Sequence, residues 1–142
     1  MEYSYFEAEG DIEKNVNAAL LEDELFNRIR IRPESIPVGN VDMIPANTFT
    51  RLSHQAIKPT KVTITKTEQA TTAIYKIEYL HLPRTLTIET EKAFPRKILS
   101  WSEDGGDGLI TKATLKQTLK IDYWSKNSNQ YESLRAELGL DK

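Results

Sequence analysis

The side chains with the widest chemical repertoire in this sequence are its two histidines, His54 and His81. Histidines that share a metal or a proton are usually recognisable by spacing, as in H-x-x-x-H on one helix face, because both rings must converge on one atom. These two lie on different elements, and no carboxylate recurs around them at ligand spacing. They read as structural or surface groups, so a hydrolase would need a site assembled in space from His54, His81 and a distant aspartate. Ser53 adjoins His54, but consecutive strand side chains point to opposite faces, and no G-x-S-x-G elbow occurs. Cysteine is absent, which removes disulfides, thiolate metal sites and cysteine nucleophiles together. No catalytic residue, metal or cofactor is expected.

Acidic and glycine residues concentrate at Glu103-Asp104-Gly105-Gly106-Asp107-Gly108. An EF-hand loop needs ligands at alternate positions and a glutamate at its twelfth, and neither is present; no G-K-[ST] follows to make a phosphate loop. A hairpin turn accounts for the glycines. Lys112, Lys116 and Lys120 form a stripe with Thr114 and Thr118, which reads as a solvated sheet face whose lysines discourage edge-to-edge pairing. The most suggestive surface is aromatic. A curved sheet lined by Tyr75, Tyr79, Trp101 and Tyr123 would form a groove for a hydrophobic small molecule or a protein partner.

The elements that must carry these residues follow from periodicity. Tyr3, Tyr5 and Phe6 make a short strand-favouring start ended by Glu9-Gly10. Asp11 is placed to cap a long helix, because Ile12, Val16, Ala19, Leu20 and Phe26 recur at helical spacing, with Leu25 and Ile29 nearby, until Pro33 forbids continuation. Pro33, Pro37, Gly39 and Pro45 then mark an ordered loop with a short extended piece at Val41–Ile44. A run of strands follows. Phe49–Ala56 alternates weakly; Lys61–Thr65, Tyr75–Tyr79, Thr85–Glu89 and Lys97–Glu103 alternate well. After the glycine turn, Leu115, Leu119, Ile121 and Tyr123 share a face opposite the lysines, predicting one long strand. Ser128 caps a short terminal helix that Gly139 ends. The expected fold is α+β: a curved antiparallel meander of about six strands, a half-barrel packed against a long N-terminal helix.

Composition agrees with one folded domain over residues 1–142: 39% of side chains are hydrophobic and 28% charged. Net charge is −2, divided into −6 over residues 1–50 and +4 over 51–142. That basic excess is too small to point to a nucleic-acid partner. The longest apolar run is Ala18–Leu21, far short of a membrane span, and Met1–Glu7 has neither the basic nor the apolar region of a secretory signal.

Five stretches carry a family resemblance. They are Ser4-Tyr5-Phe6-Glu7-Ala8-Glu9, Leu25-Phe26-Asn27-Arg28-Ile29-Arg30-Ile31 and Leu82-Pro83-Arg84-Thr85-Leu86-Thr87-Ile88-Glu89-Thr90-Glu91. The others are Phe94-Pro95-Arg96-Lys97-Ile98-Leu99-Ser100-Trp101 and Leu119-Lys120-Ile121-Asp122-Tyr123-Trp124-Ser125-Lys126-Asn127-Ser128. Together they resemble the C-terminal part of exported Bacteroidetes proteins that carry the label "septum formation inhibitor Maf". The Ser- and Arg-rich motif with which Maf nucleotide pyrophosphatases open has no counterpart near Met1. The resemblance implies a periplasmic or cell-envelope location and an additional β region ahead of this part, but no functional residues. The expected function is a non-catalytic envelope domain that binds a hydrophobic ligand or a protein on its curved sheet. The alternatives are the hydrolase above and an assembly domain that pairs, or self-associates, through an edge strand.

Overall fold

A computed structural model describes residues 15–140, together with the backbone pairing of Glu2–Tyr3 (β1) with Ile12–Glu13 (β2). The proposed Asp11 cap and the Tyr5 and Phe6 positions lie outside the described residues. Seven further strands form one sheet in sequence order: Leu20–Leu21 (β3), Gly39–Ile44 (β4), Thr60–Glu68 (β5), Thr72–Tyr79 (β6), Thr85–Glu91 (β7), Ile98–Asp104 (β8) and Ile110–Thr114 (β9). Only β3 runs parallel to its neighbour β4; every other pair is antiparallel. The sheet curls into a half-barrel, and the expected α+β class and meander hold. Among the described residues, no helix is long and apolar enough to cross a membrane.

The long N-terminal helix is replaced by something shorter. Among the described residues of that segment, only Leu25–Ile31 is α-helical (α1), while residues 15–19 have no regular structure and Leu20–Leu21 join the sheet beside Met43 and Ile44. Asn15 and Asn17 weaken helix by competing for backbone groups. Leu20 and Leu21 pair with β4 instead, and the Leu21 N–H donates to Glu24 Oε1 at 3.0 Å. The stripe residues Val16, Ala19, Leu20 and Phe26 are half-buried, while Glu22, Leu25 and Ile29 are buried, so helical spacing fits a bent chain as well as a straight helix.

Further expectations change. In place of the weak Phe49–Ala56 strand there is a short helix over Asn47–Leu52 (α2), whose first N–H, from Asn47, donates to Asp23 Oδ2 at 3.0 Å. The long strand ends at Thr114. Leu115 still donates its N–H to Leu99 O at 2.8 Å, but β8 begins at Ile98, directly after the loop containing Pro95. Beyond that point there is no strand for the alternating residues to pair with, and alternation alone does not make a strand. Seven strands thus stand where about six were expected: Phe49–Ala56 is lost, β3 is added, and the extended piece at Val41–Ile44 becomes a full strand, β4. The terminal helix is reduced to a turn at Asn129–Tyr131 and Leu134–Glu137 (α3), with Gly139 at φ +67° just beyond it.

The core lies on the concave face. Val62 and Ile64 of β5, Tyr75 and Ile77 of β6, and Leu86 and Ile88 of β7 are buried there, aligned by the register Ile64–Ile77–Leu86 and Tyr75–Ile88. Leu25 and Ile29 of α1 close over them, 1% and 0% exposed. Each such side chain contributes about 1.5–3 kcal/mol by leaving water. The convex face of β5 and β7 presents Thr63, Thr65, Thr85 and Thr87 beside Lys76 and Glu78, the half-buried alternation expected of a one-sided sheet.

Candidate interaction surface

Arg84 precedes β7 in phase with the inward-facing Leu86 and Ile88, so its guanidinium is carried into the interior. A buried cation requires buried acceptors. Glu22, in the 3₁₀ turn Glu22–Glu24 that follows β3, supplies them: Arg84 donates from Nη2 to Oε1 at 2.5 Å and from Nε to Oε2 at 3.2 Å. Tyr79 Oη donates to the same Oε2 at 2.5 Å. Arg84 Nη1 reaches Glu103 Oε2 at 3.2 Å, and the guanidinium sits 4.4 Å from the centre of the Phe49 ring. Burial disfavours the charge on Arg84, but the Glu22 and Glu103 carboxylates more than offset this and hold its pKa above the usual arginine value. Burial, reinforced by the Glu22 carboxylate, pushes the Tyr79 hydroxyl far above the usual tyrosine range. Among the described residues, no buried side-chain nitrogen or oxygen lacks a partner. Each buried polar atom of the cluster has a partner within the protein, so the cluster acts as a lock joining the β3 turn, α2, β7 and β8.

The four aromatic residues are distributed unequally. Tyr75 and Tyr79 are buried, 2% and 6% exposed, beneath the closed part of the half-barrel. Trp101 shares the concave face with them, opposite Ile88 and Ala113, and is only half-buried; Phe26 of α1 meets its ring edge-on at 6.4 Å. Tyr123 is not on the sheet. It lies in the 3₁₀ turn Tyr123–Ser125, 71% exposed, edge-on to Trp124. The expected four-residue lining is therefore corrected to three residues on one concave face, two of them covered. His54, which has a positive φ after α2, and His81, in the β6–β7 turn, are both exposed on separate connections. Among the described residues, no three His, Cys, Asp or Glu side chains gather as metal ligands. Of the lysine stripe, only Lys112 is on a strand.

The open part of the surface is the β8–β9 end. Ile98, Leu99 and Trp101 of β8 are half-buried, and Leu115, the partner of Leu99, is 40% exposed. Leu109, Ile110, Tyr123 and Trp124 are also exposed, and no described residue after Thr90 is buried. Because Leu115 bonds Leu99, antiparallel alternation turns the backbone of Thr111, Ala113 and Leu115 towards β8. That of Ile110, Lys112 and Thr114 faces outwards, where β9 has no second neighbour among the described residues. The opposite edge, β3, is two residues long and offers little to pair with.

Sequence patterning missed the Glu22–Arg84 lock, because Glu22 fell within the segment assigned to a helix, off its apolar stripe. The phase of Arg84 with Leu86 and Ile88, and of Glu103 with Trp101, was the available signal. No known protein family, no curated protein and no solved structure matches this chain.

Proposed function

We propose that this chain is a non-catalytic domain of the cell envelope whose open β8–β9 end receives a protein partner, chiefly by addition of a strand to β9. The supporting observation is the outward-facing backbone of Ile110, Lys112 and Thr114 beside a concave face that α1 covers only as far as Trp101. Main-chain pairing would provide affinity, and the Leu99, Trp101, Ala113 and Leu115 face would provide specificity. The resemblance to exported proteins supports the envelope setting, and the β region that such proteins carry ahead of this part is the partner strand the reading favours. Self-pairing of β9 is disfavoured where it brings Lys112 opposite Lys112. A hydrophobic ligand would meet the same open end, since Tyr75 and Tyr79 lie beneath the closed part.

Hydrogen exchange tests the reading. The Lys112 and Thr114 amides should exchange freely in the isolated chain and gain protection in the longer protein. Lys112→Pro, which removes an outward N–H and no bond to β8, should abolish that gain while leaving the domain folded. Equal, fast exchange of both amides in the two forms would overturn strand addition.

A further inference from the structure

The loop between β7 and β8 holds an aromatic side chain in solvent and spends many hydrogen bonds doing so. Phe94 is 85% exposed. Around it, Lys92 N–H donates to Thr71 O at 2.9 Å, Glu91 N–H to Lys97 O at 3.0 Å and Arg96 N–H to Ala93 O at 2.8 Å. Thr90 Oγ1 lies 3.2 Å from Arg96 O and 3.1 Å from Lys97 O. Arg96 itself has φ +53°, a left-handed conformation that side-chain-bearing residues rarely adopt.

Basic side chains outnumber acidic ones around the loop, although Arg32 lies 3.9 Å from Glu34. Lys66, Lys92 and Arg96 line one cavity of about 190 Å³ whose floor includes Ile29, Ala73 and Tyr75. Glu68 bridges Lys66 and Lys92 at 2.5 and 2.9 Å, and Glu91 also lines the cavity. Arg96 Nη1 donates to Arg30 O at 3.2 Å, which brings the end of α1, with Arg30, the 78% exposed Ile31 and Arg32, alongside the loop.

We propose that this end of the molecule docks on an anionic membrane surface, with Phe94 entering the interface and Lys92, Arg96 and Lys97, flanked by Arg30 and Arg32, meeting the phosphate headgroups. A protein hot spot is normally a cluster of apolar groups recessed in a pocket and ringed by polar ones. One protruding ring among dispersed cations suits a fluid partner that deforms around it and supplies many equivalent anions. The residues of this surface are not those of the β9 edge, so either reading can fail without the other.

Vesicle co-sedimentation decides it, comparing phosphatidylcholine alone with phosphatidylcholine containing phosphatidylglycerol. The chain should sediment with the anionic vesicles, less so as salt rises, and not with the neutral ones. Phe94→Ala should weaken binding about tenfold or more. Arg96→Gln and Lys97→Gln should each weaken it about fivefold. All three variants should keep the parent thermal unfolding midpoint, which separates lost docking from lost folding. Equal binding to both vesicle types, no binding even at low salt, or full binding by Phe94→Ala would overturn the proposal. So would binding to polyglutamate as strong as to the anionic vesicles and indifferent to Phe94, which would favour an acidic protein partner.

Discussion

The two halves of one concave face differ more than their sequences do. Strands β5 to β7 bury Val62, Ile64, Tyr75, Ile77, Leu86 and Ile88 under α1, whereas β8 and β9 alternate almost as regularly and bury nothing. The difference lies in what stands opposite. Leu25 and Ile29 reach the centre of the sheet, Phe26 reaches Trp101, and α1 then ends before Pro33. Alternation states that a strand has an apolar side; whether that side is covered depends on the length of the element packed across it.

Removing the lock that anchors the covered half should have the largest effect. Glu22→Gln leaves the buried Arg84 guanidinium with only the part-exposed Glu103 carboxylate and should cost about 3–5 kcal/mol in a urea unfolding experiment. The pair Glu22→Leu with Arg84→Met should recover much of that, because an apolar pair avoids the desolvation of both charges. A double variant as unstable as the single one would show that the lock contributes more than charge compensation.

A direct test of the contrast substitutes the two halves in parallel. Ile88→Ala should cost about 2–5 kcal/mol, and Leu115→Ala at the open end about 0.5 kcal/mol or less. Equal losses in thermal or urea unfolding would mean that the β8–β9 end is as well packed as the rest.

The turn linking β8 to β9 should fall between them. Gly106 has φ +76°, and a Cβ placed there would lie 2.4 Å from Pro83 Cβ and 2.8 Å from Pro83 O. Gly106→Ala should therefore lower stability by about 1–3 kcal/mol by pushing the turn off the β6–β7 connection. Asp104 and Asp107, which accept from the Gly106 and Leu109 N–H groups at 2.8 and 2.9 Å, act here as turn formers.

The smallest effect expected is electrostatic. Hydrogen bonds from Lys66 and Lys92 hold the Glu68 carboxyl down to about 2, from an ordinary value of 4.5. A depressed carboxyl stabilises the fold above its unfolded pKa, and the contribution fades as pH falls through the folded value. The bridge should thus persist below pH 4.5 and open near pH 2, read from the Glu68 side-chain carbon resonance. A midpoint near 4.5 would show that these exposed partners exert little hold.

The central strands were legible because their core is made by period-two alternation, and Lys61–Thr65, Tyr75–Tyr79 and Thr85–Glu89 all fall within strands. The glycine turn was legible because few residues accept those backbone angles. The bend at Asn15–Leu21 was not, since helical spacing is also met by a chain that turns from strand into a short helix. Nor was the end of β9, which depends on where β8 begins. The aromatic lining was half legible: Tyr75, Tyr79 and Trp101 do share a face, while Tyr123 required a strand with no partner to pair with.

The seven-stranded sheet adds each strand beside its predecessor, so most of its ladder joins segments close in the chain, a topology that assembles quickly. The contact between Glu22 and Arg84 spans 62 positions and requires the strands from β3 to β6 to be in place first. Loop closure of that length belongs late in assembly, after the hairpins have zipped. The lock is then a latch on escape rather than a guide to entry: weakening it should hasten the departure from the native state and leave the rate of arrival almost untouched.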